Sequence, residues 1–384
     1  MDENSLANKN AGIYEDRKSH PYCIWDTLHS APEEMRACLS QNVLDAAQEA
    51  AREVVKRKIE RVIFTGTGSS FGPGIYGTYA LSEIADLATK NITSYEFVHY
   101  PQGGLGEKDC LVCISHSGGT QVIIQSAQKA KQAGALVVAI TDIPTSGLAK
   151  EADKLVIGPG GRGWPIPTTR SYLADLFCVL IFNVAIGEQK KPGTMAKWMK
   201  EMKRIPDLVE QSIEVSDKLV PDYAKVCAKS IGFYVAADGP NCATSYDGAL
   251  KIQEIAWKPA IGNEAEEAIH GPLMPIEDTN TVVLVAPEGN GYERVERIAK
   301  AMHTAKVPVF AISKENASIK QYATYFVGIP GNMPELITPL VYIIPLFELA
   351  YWVAVYNGHN PDSLKRDDPI RKQAHLIMTP PGTH

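Results

Sequence analysis

The chain repeats itself, and that constrains its fold more than any other feature. Gly68–Ala85 reads GSSFGPGIYGTYALSEIA and Gly239–Ala256 reads GPNCATSYDGALKIQEIA, a shift of 239 − 68 = 171 residues. Ile157–Gly160 (IGPG) and Gly328–Gly331 (GIPG) align at the same shift, and VVAIT at 137–141 meets VFAIS at 309–313 at 172. A period this long is no solenoid. It is one domain-sized unit written twice, which suits a chain of 384 residues.

The unit itself alternates short apolar runs with amphipathic stretches. Residues 31–58 predict one helix, with apolar positions at helical spacing. Arg61–Phe64, Leu111–Ser115, Leu136–Thr141 and Lys154–Ile157 read as strands. Helices are expected from Ile75 to about Leu87, from Gln121 to Gln132 and from Ser171 to Ile186. Strand–helix alternation implies an α/β fold, with a doubly wound parallel sheet covered by helices on both faces in each copy. The expected organisation is an arm at 1–34, a first domain at 35–200, a linker helix at 201–228, a second domain at 229–360 and a tail at 361–384.

The two copies differ where ligands of such sheets bind, beyond the carboxyl ends of the strands. In the first copy the second strand ends in Ser115-His116-Ser117-Gly118-Gly119-Thr120, and the same place in the second copy is Ala286-Pro287-Glu288-Gly289-Asn290-Gly291. The first segment opens a helix, where free N–H groups and the helix dipole favour an anion such as phosphate. Ser115, Ser117 and Thr120 add hydroxyl donors, and the glycines let the backbone approach closely. His116 reads as a solvent-exposed turn residue, and Glu288 as a helix N-terminal charge. Ser69 and Ser70, and Thr168 with Thr169 and Arg170, also precede helices. Three hydroxyl-rich helix starts in one half point to a phosphosugar cradle. The second copy has lost that cradle.

The GTGSS turn, SHSGGT, PTTRSY, GALKIQE and EEAIHGP together resemble the sugar isomerase (SIS) domain family over about residues 35–360. The double arrangement is similar to the isomerase half of glucosamine-6-phosphate synthase, to amino-sugar-phosphate deaminase/isomerases and to fructosamine-6-phosphate deglycases. The resemblance implies two tandem SIS domains of flavodoxin-like fold. It gives Ser69, Ser70, Ser115, Ser117 and Thr120 substrate-binding roles, with Thr168 beside them. It makes Glu254 the proton-transfer base and His270 the ring-opening group, at the family spacing of 270 − 254 = 16. Lys251, which matches the family's helix lysine, joins them as a catalytic residue, and Glu267, which matches the glutamate three residues before the histidine, joins the substrate-binding set. In the family that histidine can reach a neighbouring subunit, which implies a homodimer.

The chain also departs from the synthase pattern. It begins MDENS without a glutaminase domain, so glutamine-dependent amination is not expected. Where the synthase has its Schiff-base lysine stands Ala374, with Lys372 and His375 nearby, and Gly163 replaces an acidic residue.

These residue types fit aldose–ketose chemistry. One carboxylate can carry a proton between carbons 1 and 2, first as base and then as acid, and a histidine can shuttle the ring-oxygen proton. Simple isomerisation, deamination with isomerisation, deglycation, turnover of a sulfonated sugar and non-catalytic sensing of a sugar phosphate all remain open at this point.

Other classes fit less well. A formal charge of −6 offers no basic face for nucleic acid. Seven scattered cysteines make no disulfide framework, and the Cys110/Cys113 pair lies in what reads as a buried strand. The nine histidines show no HxxxH or HExxH spacing, and GTGSSFG lacks the dinucleotide-binding spacing, so neither a metal nor a cofactor is expected. The apolar run Leu336–Tyr356 carries Pro339, Pro345 and Glu348 and reads as a buried core helix, not a membrane span. The polar N-terminus is no signal peptide, so the expected location is cytoplasmic.

Overall fold

The computed structural model describes residues 17–161, 166–366 and 368–380. In chain order the helices and strands are α1 (Cys23–His29), α2 (Ala31–Cys38), α3 (Gln41–Lys56), β1 (Arg61–Gly66), α4 (Phe71–Ala85), β2 (Ala88–Thr93), α5 (Ser94–His99), β3 (Asp109–Ile114), α6 (Gln121–Gln132), β4 (Leu136–Thr141), α7 (Gly147–Glu151), β5 (Lys154–Ile157) and α8 (Arg170–Lys190). There follow α9 (Thr194–Met202), α10 (Ile205–Cys227), β6 (Phe233–Ala237), α11 (Cys242–Ala256), β7 (Ala260–Glu264), α12 (Ala265–Ile269), β8 (Thr281–Ala286), α13 (Tyr292–Thr304), β9 (Val309–Lys314), β10 (Tyr325–Ile329), α14 (Thr338–Tyr342), α15 (Ile344–Tyr356) and α16 (Pro369–Met378). The chain forms two compact units. Among the described residues, one contains Glu33–Lys203 and the tail from Arg366, and the other contains Arg17–Pro32 and Arg204–Lys365.

Each unit holds a five-stranded parallel sheet. The orders are β2-β1-β3-β4-β5 and β7-β6-β8-β9-β10, so the second repeats the first strand for strand. The register is equally close. Helix α4 at 71–85 maps onto α11 at 242–256 with the shift 242 − 71 = 171. The central strands β3, β4 and β8 are buried along their whole length, as expected of strands covered on both faces.

Each unit also wraps one long apolar helix. Helix α8 is buried from Arg170 to Gly187, and α15 from Ile344 nearly to its end. Helix α8 and the run Glu335–Tyr356, which ends in α15, are long and apolar enough to cross a membrane, yet 94 % of the most apolar stretch of each lies inside the fold. A helix apolar on all sides belongs in a protein core when layers close around it. By contrast α3 buries one stripe (Val43, Ala47, Ala50, Ala51, Val54) and exposes the rest.

Several expected elements change. The helix predicted over 31–58 is two, broken at Ser40, whose backbone is extended (φ −63, ψ 150) as it enters α3. The helix after β1 starts four residues earlier than expected, at Phe71, and ends at Asp86 in the left-handed region (φ 48). Strand β2 and helix α5 were not anticipated. ATKNIT is polar because β2 is an edge strand whose side chains are mostly half-buried. The stretch 195–219 spans parts of α9 and α10.

One long-range cap closes the second unit. The Cys23 and Ile24 N–H groups, at the start of α1, both donate to the Asp362 carboxylate at 2.9 Å. Those N–H groups have no partner within their own helix, so the distant carboxylate supplies what a local N-cap normally does.

Candidate active site

In the first unit, β1 and β3 lie side by side, so the turns at their carboxyl ends are neighbours. The first turn is a 3-10 helix, Gly68–Ser70, entered through Gly68 at φ +59, a conformation that favours glycine. Ser69 and Ser70 sit there, both partly exposed. The second turn is Ser115–Thr120. Ser115 is buried, and its hydroxyl accepts the Gly118 N–H at 3.1 Å. Ser117 is exposed, and its hydroxyl accepts the Gly119 N–H at 3.2 Å. Thr120 occupies the N-cap position of α6 with no side-chain cap bond, so its hydroxyl is not spent on the helix. Thr168 is partly exposed two residues before α8. Arg170, at the first position of α8, is buried in an ion pair with Glu34.

His116 is not the solvent-exposed turn residue that the sequence predicts. Its side chain is 15 % exposed, and Nδ1 lies 2.6 Å from the Asp142 carboxylate. Its carbonyl also accepts the Asp142 N–H and the Thr141 hydroxyl, each at 3.1 Å. Burial alone would lower its pKa, but the Asp142 hydrogen bond and charge, with Asp175 and Glu34 behind, raise it above 6.5. Nearby Asp175 is raised well above the ordinary carboxyl range by burial and by the Asp142 charge. A short loop thus rests on a buried acid–imidazole pair that its own sequence does not reveal.

In the second unit, α11 carries Asp247, Lys251 and Glu254 on one face at i, i+4 and i+7. Lys251 is 0 % exposed. Its Nζ donates to Glu254 Oε2 at 2.7 Å and lies 3.5 Å from Asp247, while Glu254 is 29 % exposed. Burial would lower the lysine pKa, but the two carboxylates outweigh it and raise the value. A buried ammonium so held is a fixed cation, poorly suited to act as a nucleophile or base.

His270 caps the end of α12 and is 66 % exposed, with Nε2 at 3.3 Å from Glu266. Glu266 also binds Arg294 at 2.7 Å. Glu267 is exposed in the first turn of α12, where the Glu264 side chain accepts the N–H groups of Glu266 and Glu267 at 2.8 and 3.0 Å. Sequence reasoning missed Asp238, which lies at the carboxyl end of β6 and hydrogen-bonds with Glu264. Burial and that carboxylate push Asp238 up to about 7. Its repeat partner is Thr67 (238 − 171 = 67), so a carboxylate replacing a hydroxyl beside a glycine turn was the available signal.

Glu288 is mostly exposed and its carboxylate pairs with Lys314 at 2.8 Å. On the tail, Lys372 is exposed and His375 lies 3.3 Å from Arg366. Gly163 lies outside the described residues. Cys110 and Cys113 are buried in β3, where burial pushes both thiols up, away from the reactive thiolate. Among the described residues no cluster of three or more His, Cys, Asp or Glu side chains has a metal-binding arrangement. A cavity of about 240 Å³ in the second unit, lined by Val226, Ile231, Thr281 and Tyr325, lies at the opposite end of the strands from these residues.

Two parallel sheets of identical strand order, each with helix-opening turns at the carboxyl ends of its strands, define a tandem α/β protein. The SIS domain profile matches residues 57–185 and 226–356, and the chain belongs to that family. It is similar to the glutamine–fructose-6-phosphate aminotransferase of Pyrococcus horikoshii, 30 % identical over 349 residues, which cover 90 % of this chain and 57 % of the relative. The same enzyme of Methanothermobacter thermautotrophicus is 28 % identical over 91 % of this chain and 57 % of the relative. The chain therefore spans a little over half the length of these relatives. Among solved structures, the C-terminal domain of the Francisella tularensis glucosamine-fructose-6-phosphate aminotransferase superposes with a TM-score of 0.81 at 20 % identity, covering 91 % of this chain and 99 % of that one. The tagatose-6-phosphate ketose/aldose isomerase of Escherichia coli gives 0.74 at 15 % identity, over 91 % and 96 %. These likenesses establish the fold.

Proposed function

We propose that the chain is a sugar-phosphate aldose–ketose isomerase or an amino-sugar-phosphate deaminase/isomerase. The observation that carries this reading is the pair on α11: a partly exposed Glu254 carboxylate held by a wholly buried Lys251. A base for carbon acids needs a fixed position, an open lone pair and access to substrate, and Glu254 meets all three. It takes the proton from carbon 2 of the open-chain aldose as the carbon-1 oxygen gains a proton from solvent, leaving a cis-enediol, and returns it to carbon 1 as the carbon-2 hydroxyl gives up its own proton to form the ketose. The reverse order serves a ketose substrate. Lys251 positions Glu254 and takes no part in the proton transfer. His270 moves the ring-oxygen proton during opening. Its exposure suits a group that serves a neighbouring copy, which fits a homodimer. Ser115, Ser117 and Thr120, with Ser69, Ser70 and Thr168, hold the anionic end of the sugar. Glu267, in the first turn of α12, serves in substrate binding.

The relatives' names favour this chemistry: they include an aminotransferase acting on fructose 6-phosphate and a ketose/aldose isomerase. A glucosamine-6-phosphate deaminase of Thermotoga maritima shares the fold, with a TM-score of 0.64. The test offers fructose-, glucose-, glucosamine- and fructosamine-6-phosphate to the protein in deuterated water. Deuterium should enter at carbon 1 or 2, and ketose or ammonia release separates isomerase from deaminase. Exchange that continues at an unchanged rate in Glu254→Gln would overturn the assignment.

A further inference from the structure

The second unit fills its own version of the anion loop. Gly239 and Gly289 are the repeat partners of Gly68 and Gly118 (239 − 68 = 171; 289 − 118 = 171). They lie in the two neighbouring turns that follow β6 and β8. Between them sits the carboxylate of Glu335, from a 3-10 turn that leads into α14. A Cβ built on Gly289 would fall 2.3 Å from its Cδ, and one on Gly239 would lie 3.3 Å from Oε1. The Asn290 N–H donates to Oε2 at 3.4 Å. The backbone of Glu335 is held as well. The Thr338 hydroxyl donates to the Glu335 carbonyl at 2.7 Å, and the buried Asn241 amide donates to that hydroxyl at 2.7 Å. The turn bearing Glu335 is therefore tied to the same Gly239–Asn241 turn on which its side chain lies.

We propose that Glu335 is an internal anion: its carboxylate occupies the second unit's counterpart of the phosphate loop, and its removal opens that loop to a small external oxyanion. The proposal rests on reading Ser115–Thr120 as the anion loop of the first unit. The opened site is the weaker of the two, because its segment carries Pro287 and Asn290 where the first has His116 and Gly119. It also keeps Glu288, although Lys314 pairs with that charge.

Inorganic phosphate is the probe, measured by calorimetry and by its effect on the melting temperature of the full chain. Glu335→Ala should bind an added, weaker equivalent of phosphate per chain. Combining Glu335→Ala with Ser115→Ala and Ser117→Ala should leave that added equivalent alone. If Glu335→Ala folds but gains no phosphate, the proposal fails while the first-unit reading stands. If Ser115→Ala/Ser117→Ala binds phosphate as the wild type does, the first-unit reading fails instead. Should the alanine variant not fold, Glu335→Gln keeps the size and loses the charge. Phosphate should then raise its melting temperature more than that of the wild type, and equal rises overturn the proposal.

Discussion

The turn after β3 and the turn after β8 occupy the same place in two copies of one sheet, yet they are finished differently. Ser115–Thr120 is braced from beneath: His116 rests on Asp142, and a Cβ on Gly118 would strike Ser146 and Thr141. Its outer side presents Ser117 and Thr120. The 286–291 segment is closed by the Glu335 carboxylate, and a Cβ on Gly291 would strike Asp238. A loop braced from below and open above can take a ligand. A loop already supplied with a carboxylate has less need of one. Duplication thus kept the architecture twice, while the hydroxyl-rich turn proposed to hold an anion stands in one copy.

The twin positions make this contrast testable. The largest effect is expected at the α11 carboxylate. Glu254→Gln should slow exchange by about 10²–10⁴-fold, the usual contribution of a positioned acid–base group. Glu83, its exposed partner at 254 − 171 = 83, should tolerate the same change with activity intact. Equal losses in both would erase the distinction between the copies. Next, Ser117→Ala should weaken phosphosugar binding about tenfold, as expected for a lost hydrogen bond to a charged group. Asn290→Ala should leave it unchanged in the same titration.

The acid–base pairs predict smaller, pH-dependent effects. His116 has a folded pKa raised above its ordinary 6.5. Its stabilising contribution is therefore complete below that value and is lost as pH rises through the folded pKa. His116→Gln should flatten this decline in melting temperature, and an unaltered profile would count against the pair. The twin position is Pro287, which contributes no such slope. The smallest effect concerns Asp238, raised to about 7 beside Glu264. A carboxyl raised on folding costs stability as pH climbs from its ordinary 3.8 towards the folded value. Glu264, which is lowered, offsets part of that cost. Asp238→Asn should remove the remaining decline near neutral pH, read by thermal melts at a series of pH values.

Much of the fold could be read from the sequence because parallel strands and core helices announce themselves by apolar runs. Lys154–Ile157, Leu136–Thr141 and Gln121–Gln132 fall where the pattern puts them. Strand β2 escaped notice because an edge strand with half-exposed side chains has no such run. Ser40 broke a helix that charge periodicity alone would continue. At the candidate site, the helical spacing of Lys251 and Glu254 was enough to bring them together. His116 with Asp142, and Glu335 with Asn290, are paired across 26 and 45 residues. The first pair meets because β3 and β4 are neighbours, the second because the turn after β10 reaches back past β9 to the turn after β8, and no local pattern encodes either meeting.

The cap that closes the second unit also bears on how the protein is made. Asp362 lies 339 residues beyond Cys23. On the ribosome, α1 emerges well before the carboxylate that satisfies its leading amides, which follows 339 residues later. The nascent helix must wait, its cap unmet, until that intervening stretch has been made. Loop closure over so long a span is slow. Docking of this helix therefore comes long after its own synthesis, and a chain stalled before Asp362 would leave it without its anchor.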